Sequence, residues 1–198
     1  MYEGGLRVPS FWRWPEHFKA GVDLDDIANP IDIMPTIAQA CGVSLPTDRT
    51  IDGVSLLPLL QGEVNDWPDR SLFFQWHRGN EPGRYRNYAV TDQCYKLTRP
   101  DEHQPDELYD LVADPHEQHD LADELTDVVT AMRKRYDAWF DDVCHTRPDN
   151  FDPPRIIAGS PHDNPTTLTR QDWRMKGADG WSDKHEGYWL IHIDGEHT

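Results

Sequence analysis

One segment constrains the fold of this chain more than any other. Leu125, Val128, Val129, Met132, Tyr136, Trp139, Phe140 and Val143 recur at spacings of 3, 1, 3, 4, 3, 1 and 3. That period lines one face of a helix with apolar side chains. It predicts a helix over 120–143 with Asp120 as its cap. So broad an apolar stripe must be covered, and the residues just upstream supply a cover. Segments 72–77, 85–91, 94–98 and 107–111 read as short strands, with Thr91-Asp92-Gln93 as a hairpin turn. The expected unit is a small antiparallel sheet with one long helix across its face.

Other segments extend this unit at both ends. Residues 32–41 read as a helix, with Asp32 as N-cap, Pro35 at the third helical position, and Gly42 at the C-terminal left-handed position. Met34, Ile37, Ala38 and Cys41 form its apolar face. Residues 51–62 read as a turn and a short apolar helix ended by Gly62. In the opening MYEGGLRVPSFWRWP, Gly4-Gly5 marks a tight turn, and Leu6, Val8 and 11–14 form a strand-like apolar run. Such an opening reads as the middle of a domain. Residues 145–169, rich in Pro, Asp and Asn, read as a linker or ordered loop. Residues 170–198 carry Trp173, Trp181, Tyr188 and Trp189. Within them 188–193 alternates like a strand, and Asp194-Gly195 is a hairpin signal. The chain stops three residues later, before any partner strand, so the sequence reads as cut at both ends.

Composition narrows the function. With 37% hydrophobic residues and eight Trp, a packed core is expected and disorder throughout is not. A net charge of −17 argues against a nucleic-acid binder and against docking on an anionic membrane. No apolar run approaches the roughly 20 residues that a spanning helix needs. The charge is uneven: 101–127 holds eleven acidic residues and no Lys or Arg, whereas 70–99 holds six basic residues against Glu81 and Asp92. The acidic stretch reads as a solvated face, and the basic stretch as a candidate surface for an anionic ligand. Cys41, Cys94 and Cys144 show neither zinc spacing nor a disulfide framework. Cys41 and Cys94 read as buried free thiols.

The order of short motifs then carries a family resemblance. Tyr2-Glu3-Gly4-Gly5-Leu6-Arg7-Val8-Pro9 with Trp12-Arg13-Trp14-Pro15 resembles the sulfatase family near the end of its large catalytic domain. Asp32-Ile33-Met34-Pro35-Thr36 resembles the helix that follows there, and 51–60 the next family segment. Tyr88-Ala89-Val90, Tyr95-Lys96-Leu97, Glu107-Leu108-Tyr109-Asp110-Leu111 and Asp114-Pro115 resemble its small C-terminal sheet. The resemblance covers residues 1 to about 140. It implies an α/β fold, alkaline-phosphatase-like in the parent, of which this chain holds the last elements. Residues 1–68 would be the end of the catalytic domain, 69–144 a C-terminal sub-domain of sheet and helix, and 145–198 a linker and the start of a β-rich extension.

The resemblance also implies sulfate-ester hydrolysis by a formylglycine, made from Cys or Ser in a Cys/Ser-x-Pro-x-Arg motif, with a calcium ion polarising the sulfate. None of the three cysteines begins that motif. The family's paired Asp ligands and its sulfate-binding Lys belong before the Glu-Gly-Gly stretch. No catalytic or metal-binding residue is therefore carried over, and this segment alone is expected to be inactive. Glu3 and Arg7 would brace the active-site wall from behind, or else form an ordinary ion pair beside a glycine turn. His77 and Arg78, at the end of the first sheet strand, are the candidate substrate-binding residues, because both side chains donate to sulfate or sugar oxygens. His116-Glu117-Gln118-His119 reads as a surface turn. The partners implied are a sulfated small molecule or carbohydrate and the N-terminal catalytic portion, in a periplasmic or extracellular location. Phosphonate or phosphodiester hydrolysis within the superfamily, or a non-catalytic chain that binds a sugar or a partner, are the alternatives.

Overall fold

The computed structural model describes residues 1–64, 67–77, 81–148, 150–153, 155–176 and 186–193. Strands β1 (Leu72–Gln75), β2 (Tyr88–Thr91), β3 (Tyr95–Arg99) and β4 (Glu107–Asp110) form one antiparallel sheet in chain order. The register lines Phe73, Val90, Leu97 and Leu108 across all four strands. Alternation puts these on one face of the sheet. That face meets helix α4 (Thr126–Cys144), where Val129, Met132, Tyr136 and Phe140 close the core over Tyr88, Val90, Leu97 and Leu108. Each such fully buried apolar side chain contributes about 1.5–3 kcal/mol. Phe73 stacks on Trp139 at 5.1 Å, and Tyr88 lies 4.2 Å from Tyr136. Asp106 ties the sheet to the helix, accepting from Arg99 Nε at 2.7 Å and from Arg133 Nε at 2.9 Å.

The sheet and its covering helix form as the sequence predicts, with altered ends. β2 starts three residues late because Tyr85 and Asn87 take left-handed φ of 64° and 49°. α4 starts at Thr126, and Asp120 does not cap it. The Asp120 carboxylate instead accepts from the amides of Leu108 and Ala122, both at 2.9 Å, which stitches the approach to α4 onto β4. A side chain able to cap a helix has been taken by the edge of a sheet.

Upstream, one helical turn α1 (Glu3–Leu6) stands at the tight turn expected of Gly4-Gly5, whereas the strand-like run expected over Leu6, Val8 and 11–14 forms no strand, and Val8 and Phe11 are exposed. A 3-10 turn, Pro30–Asp32, leads into α2 (Ile33–Ala40), followed by α3 (Leu57–Leu60). Asp32 does not cap α2 with its side chain. It is wholly buried, and its carboxylate accepts from the amides of Asn29 and Val54 and from Arg70 at 2.8, 2.9 and 2.9 Å. Gly53 is required beside it, since a Cβ there would sit 2.0 Å from the Ile31 carbonyl oxygen. Gly42 takes the left-handed conformation expected of it.

Cys41 and Cys94 are exposed rather than buried. The α2 face that carries Met34 and Ile37 is open, and Cys94 belongs to the β2–β3 turn instead of a strand. Near the C-terminus, β5 (Ile156–Ala158) pairs in parallel with β8 (Ile191–Ile193), and β6 (Arg174–Met175) pairs with β7 (Gly187–Tyr188). The strand expected over 188–193 thus has a partner after all, supplied from upstream within the stretch read as a linker. Trp181 and Asp194-Gly195 lie outside the described residues. No helix among the described residues is long and apolar enough to cross a membrane.

Candidate functional site

Alternation along β3 sends Leu97 toward α4 and therefore sends Lys96 to the opposite face of the sheet. There the Lys96 side chain is completely buried, an expensive position for an ammonium unless it is paired. Two carboxylates supply the pairing. Glu117 Oε1 lies 2.6 Å from Nζ and Glu3 Oε1 lies 3.1 Å from it. The Glu3 amide also donates to Glu117 Oε2 at 2.6 Å. Residues separated by 93 and 114 positions thereby meet in one cluster.

The local chain explains how Glu117 reaches in. Asp114 Oδ2 accepts from the amides of Gln118 and His119 at 2.7 and 2.8 Å, closing a turn in which Glu117 takes a left-handed φ of 56°. Burial pushes the Asp114 carboxyl up, but these two amides and the His119 side chain together hold it below its ordinary value. Next to the cluster, Tyr2 and Tyr109 both donate to Glu107 Oε2, at 2.8 and 2.9 Å, with their rings in edge contact. Burial, then the Glu107 carboxylate, raises both phenols above their usual range.

Of the residues singled out from sequence, Glu3 is thus engaged by Lys96, and the Arg7 side chain beside it is exposed. His77 is exposed just beyond β1, and Arg78 lies outside the described residues. The register aligns Lys96 with Thr91 and Leu72, whereas His77 follows Gln75 at the other end of β1. The structure does not bring the two groups together.

The basic window does not present itself to a ligand through its described members. Arg70 pairs with Asp32, Arg84 with Asp137 and Asp141, Arg86 with Glu102, Lys96 with Glu3 and Glu117, and Arg99 with Asp106. Three of these partners, Glu102, Asp106 and Glu117, come from the acidic stretch, so the two oppositely charged windows satisfy each other in part. Sequence reading missed Lys96, Glu117, Asp106 and the buried role of Asp32. The available signal was a lone lysine between Tyr95 and Leu97 in an apolar strand.

The described residues offer calcium no carboxylate cluster. Among the described residues, no three His, Cys, Asp or Glu side chains gather as a metal site requires. Glu117 is committed to Lys96, and His119 lies 3.5 Å from Asp114.

Comparison with known proteins supplies the class. The family model described as N-sulphoglucosamine sulphohydrolase, C-terminal, matches residues 1–140, and the chain belongs to this sulfatase family. Human steryl-sulfatase is 31% identical over 144 residues, covering 61% of this chain and 25% of that protein. Human arylsulfatase A is 34% identical over 139 residues, covering 61% and 27%. The chain therefore spans about a quarter of the length of the curated relatives it matches. Among solved structures, Ps i-CgsB superposes with a TM-score of 0.56 at 23% identity, over 64% of this chain and 27% of that one. That likeness supports the fold: mixed α/β, part of an alkaline-phosphatase-like whole.

Proposed function

We propose that this chain serves as the C-terminal part of a sulfatase that hydrolyses sulfate esters, and that these 198 residues alone are inactive. The observation that carries the reading is the family match over 1–140, a span that includes every member of the Glu3–Lys96–Glu117 cluster. Formylglycine and calcium would come from a catalytic portion that carries the Cys/Ser-x-Pro-x-Arg nucleophile. Calcium would polarise the sulfate, while this chain would form one wall beside it.

The partner portion has a surface to meet. Val8, Phe11, Met34, Ile37 and Val43 are all exposed, and exposed apolar side chains of this kind suit a surface that another portion covers. The proposed substrate is a sulfated small molecule or carbohydrate, approached by His77 from just beyond β1, with Arg78 next in sequence as the second candidate. A periplasmic or extracellular location goes with this reading.

The test begins with the coding region upstream of Met1. An in-frame nucleophile motif, with turnover of a chromogenic aryl sulfate by the protein so encoded, supports the reading. A ribosome-binding site immediately before Met1 with no such motif overturns it. The 198 residues alone should give no turnover above buffer, and activity retained through repurification would overturn the assignment of chemistry to another portion.

A further inference from the structure

A helix of four residues closes too few hydrogen bonds to persist by itself, and glycine disfavours a helix more than any residue but proline. α1 has both handicaps, since Gly4 and Gly5 are half of it. Neither glycine is demanded by the turn: neither takes a left-handed φ, and a Cβ on either would meet nothing within 4 Å. Local sequence therefore opposes α1, and tertiary contacts must hold it.

We infer that Lys96 and Glu117 are positioning residues, a buried ionic latch that fixes the 2–7 turn on the back of the sheet and presents its glycine face outward. The Glu3 amide and carboxylate are both captured, by Glu117 and Lys96, and Tyr2 is captured by Glu107. Lys96 is fully buried and the Glu117 side chain is 5% exposed, so water cannot replace either partner. Held this way, Gly4, Gly5, Arg7 and Val8 are all exposed. A glycine pair in open space admits an approach that a Cβ would block, and Arg7 beside it adds a fork of donors. The sulfatase reading bears on which surface approaches this face; the latch itself stands on the contacts.

The experiment is amide hydrogen exchange on the 198-residue chain, comparing the unmodified protein with Lys96→Met, Glu117→Gln and the double variant. Lys96→Met leaves two carboxylates facing one another without their cation. Exchange at Gly5, Leu6 and Arg7 should quicken about tenfold or more, with Val90 and Leu97 changing less. Glu117→Gln should give the same regional pattern at smaller size, and it decides the matter if Lys96→Met fails to fold. The double variant should recover part of the loss, because it no longer leaves Glu117 charged beside a missing partner, whereas a general loss of packing would not be recovered. Unchanged exchange at residues 5–7, or uniform acceleration over these and β2–β3, overturns the latch. The readout needs no turnover, so failure of the aryl sulfate test would remove the sulfatase reading without touching this result.

Discussion

The sheet with α4 and the segment 1–55 are built on opposite plans. In the first, Tyr88, Val90, Leu97, Leu108, Met132 and Tyr136 all have 0% exposure, so apolar contact is what holds it. In the second, the buried residues are Asp32, Pro35 and Thr36. That segment is organised around a charge. Asp32 gathers two amides and Arg70, while the Thr36 hydroxyl donates to the Asp32 carbonyl and accepts from the Leu56 amide. Many of its large apolar side chains face outward, with Phe11 at 92% and Val8 at 66% exposure. A region whose polar groups are satisfied inside and whose apolar groups are left outside is shaped to be covered by another surface. The other region closes its own core.

The largest expected effect contrasts the two plans directly. Met132→Ala should cost about 2–5 kcal/mol in urea unfolding of this chain, through lost transfer energy and the cavity left behind. Ile37→Ala, on the open face of α2, should stay within about 0.5 kcal/mol. Equal costs would mean that the α2 face is already packed, and the contrast would break. A larger Ile37→Ala cost in a longer protein that carries the nucleophile would sharpen it.

The second effect is read in that longer protein, at the exposed rim of the self-contained unit. His77→Ala should raise KM for the natural sulfated substrate by an amount equivalent to about 1–3 kcal/mol, with kcat little altered. A small aryl sulfate that does not reach this wall should suffer less. Unchanged kinetics on both substrates, with folding intact, would reduce His77 to an ordinary strand end.

Third, the apolar core predicts an alkaline weakness. Burial pushes the phenols of Tyr88 and Tyr136 well above the ordinary tyrosine value. The folded state then holds these protons longer than the unfolded state does. Their contribution is fully present below about pH 10 and is lost as pH rises toward the folded values, by about 1.4 kcal/mol per group per pH unit. Phenolate absorbance from these two should therefore appear together with loss of circular dichroism. Its appearance in a still-folded chain would show that the core admits water.

The smallest effect is one of reactivity. Cys41, in the open region, and Cys94, at the hairpin tip, should be alkylated before Cys144. Burial raises the Cys144 thiol above its usual range and leaves it less thiolate at neutral pH. If Cys41 lagged behind Cys144, the first region would be more closed than its exposed side chains indicate.

The amino-acid sequence by itself determined what depends on period and local backbone preference. A repeat of 3 and 4 over 125–143 specifies a helix with one apolar side, short runs of strand-forming residues between turn signals specify the four strands, and glycine at 42 permits a left-handed stop. Ordered motifs were enough to point to the family. The tertiary structure decided which polar side chains leave their local role. Asp120 abandons a helix cap for the edge of β4, Asp32 turns inward to meet Arg70, and Glu117 folds in from a surface turn to reach Lys96. Asp120 follows the amides of a neighbouring strand, and the other two share a different physical reason. A carboxylate can satisfy a neighbouring amide or a distant buried cation, and burial makes leaving that cation unpaired the costlier outcome. Arg70 lies 38 positions from Asp32, and Lys96 reaches both Glu117 and, 93 positions away, Glu3; no local pattern encodes those separations.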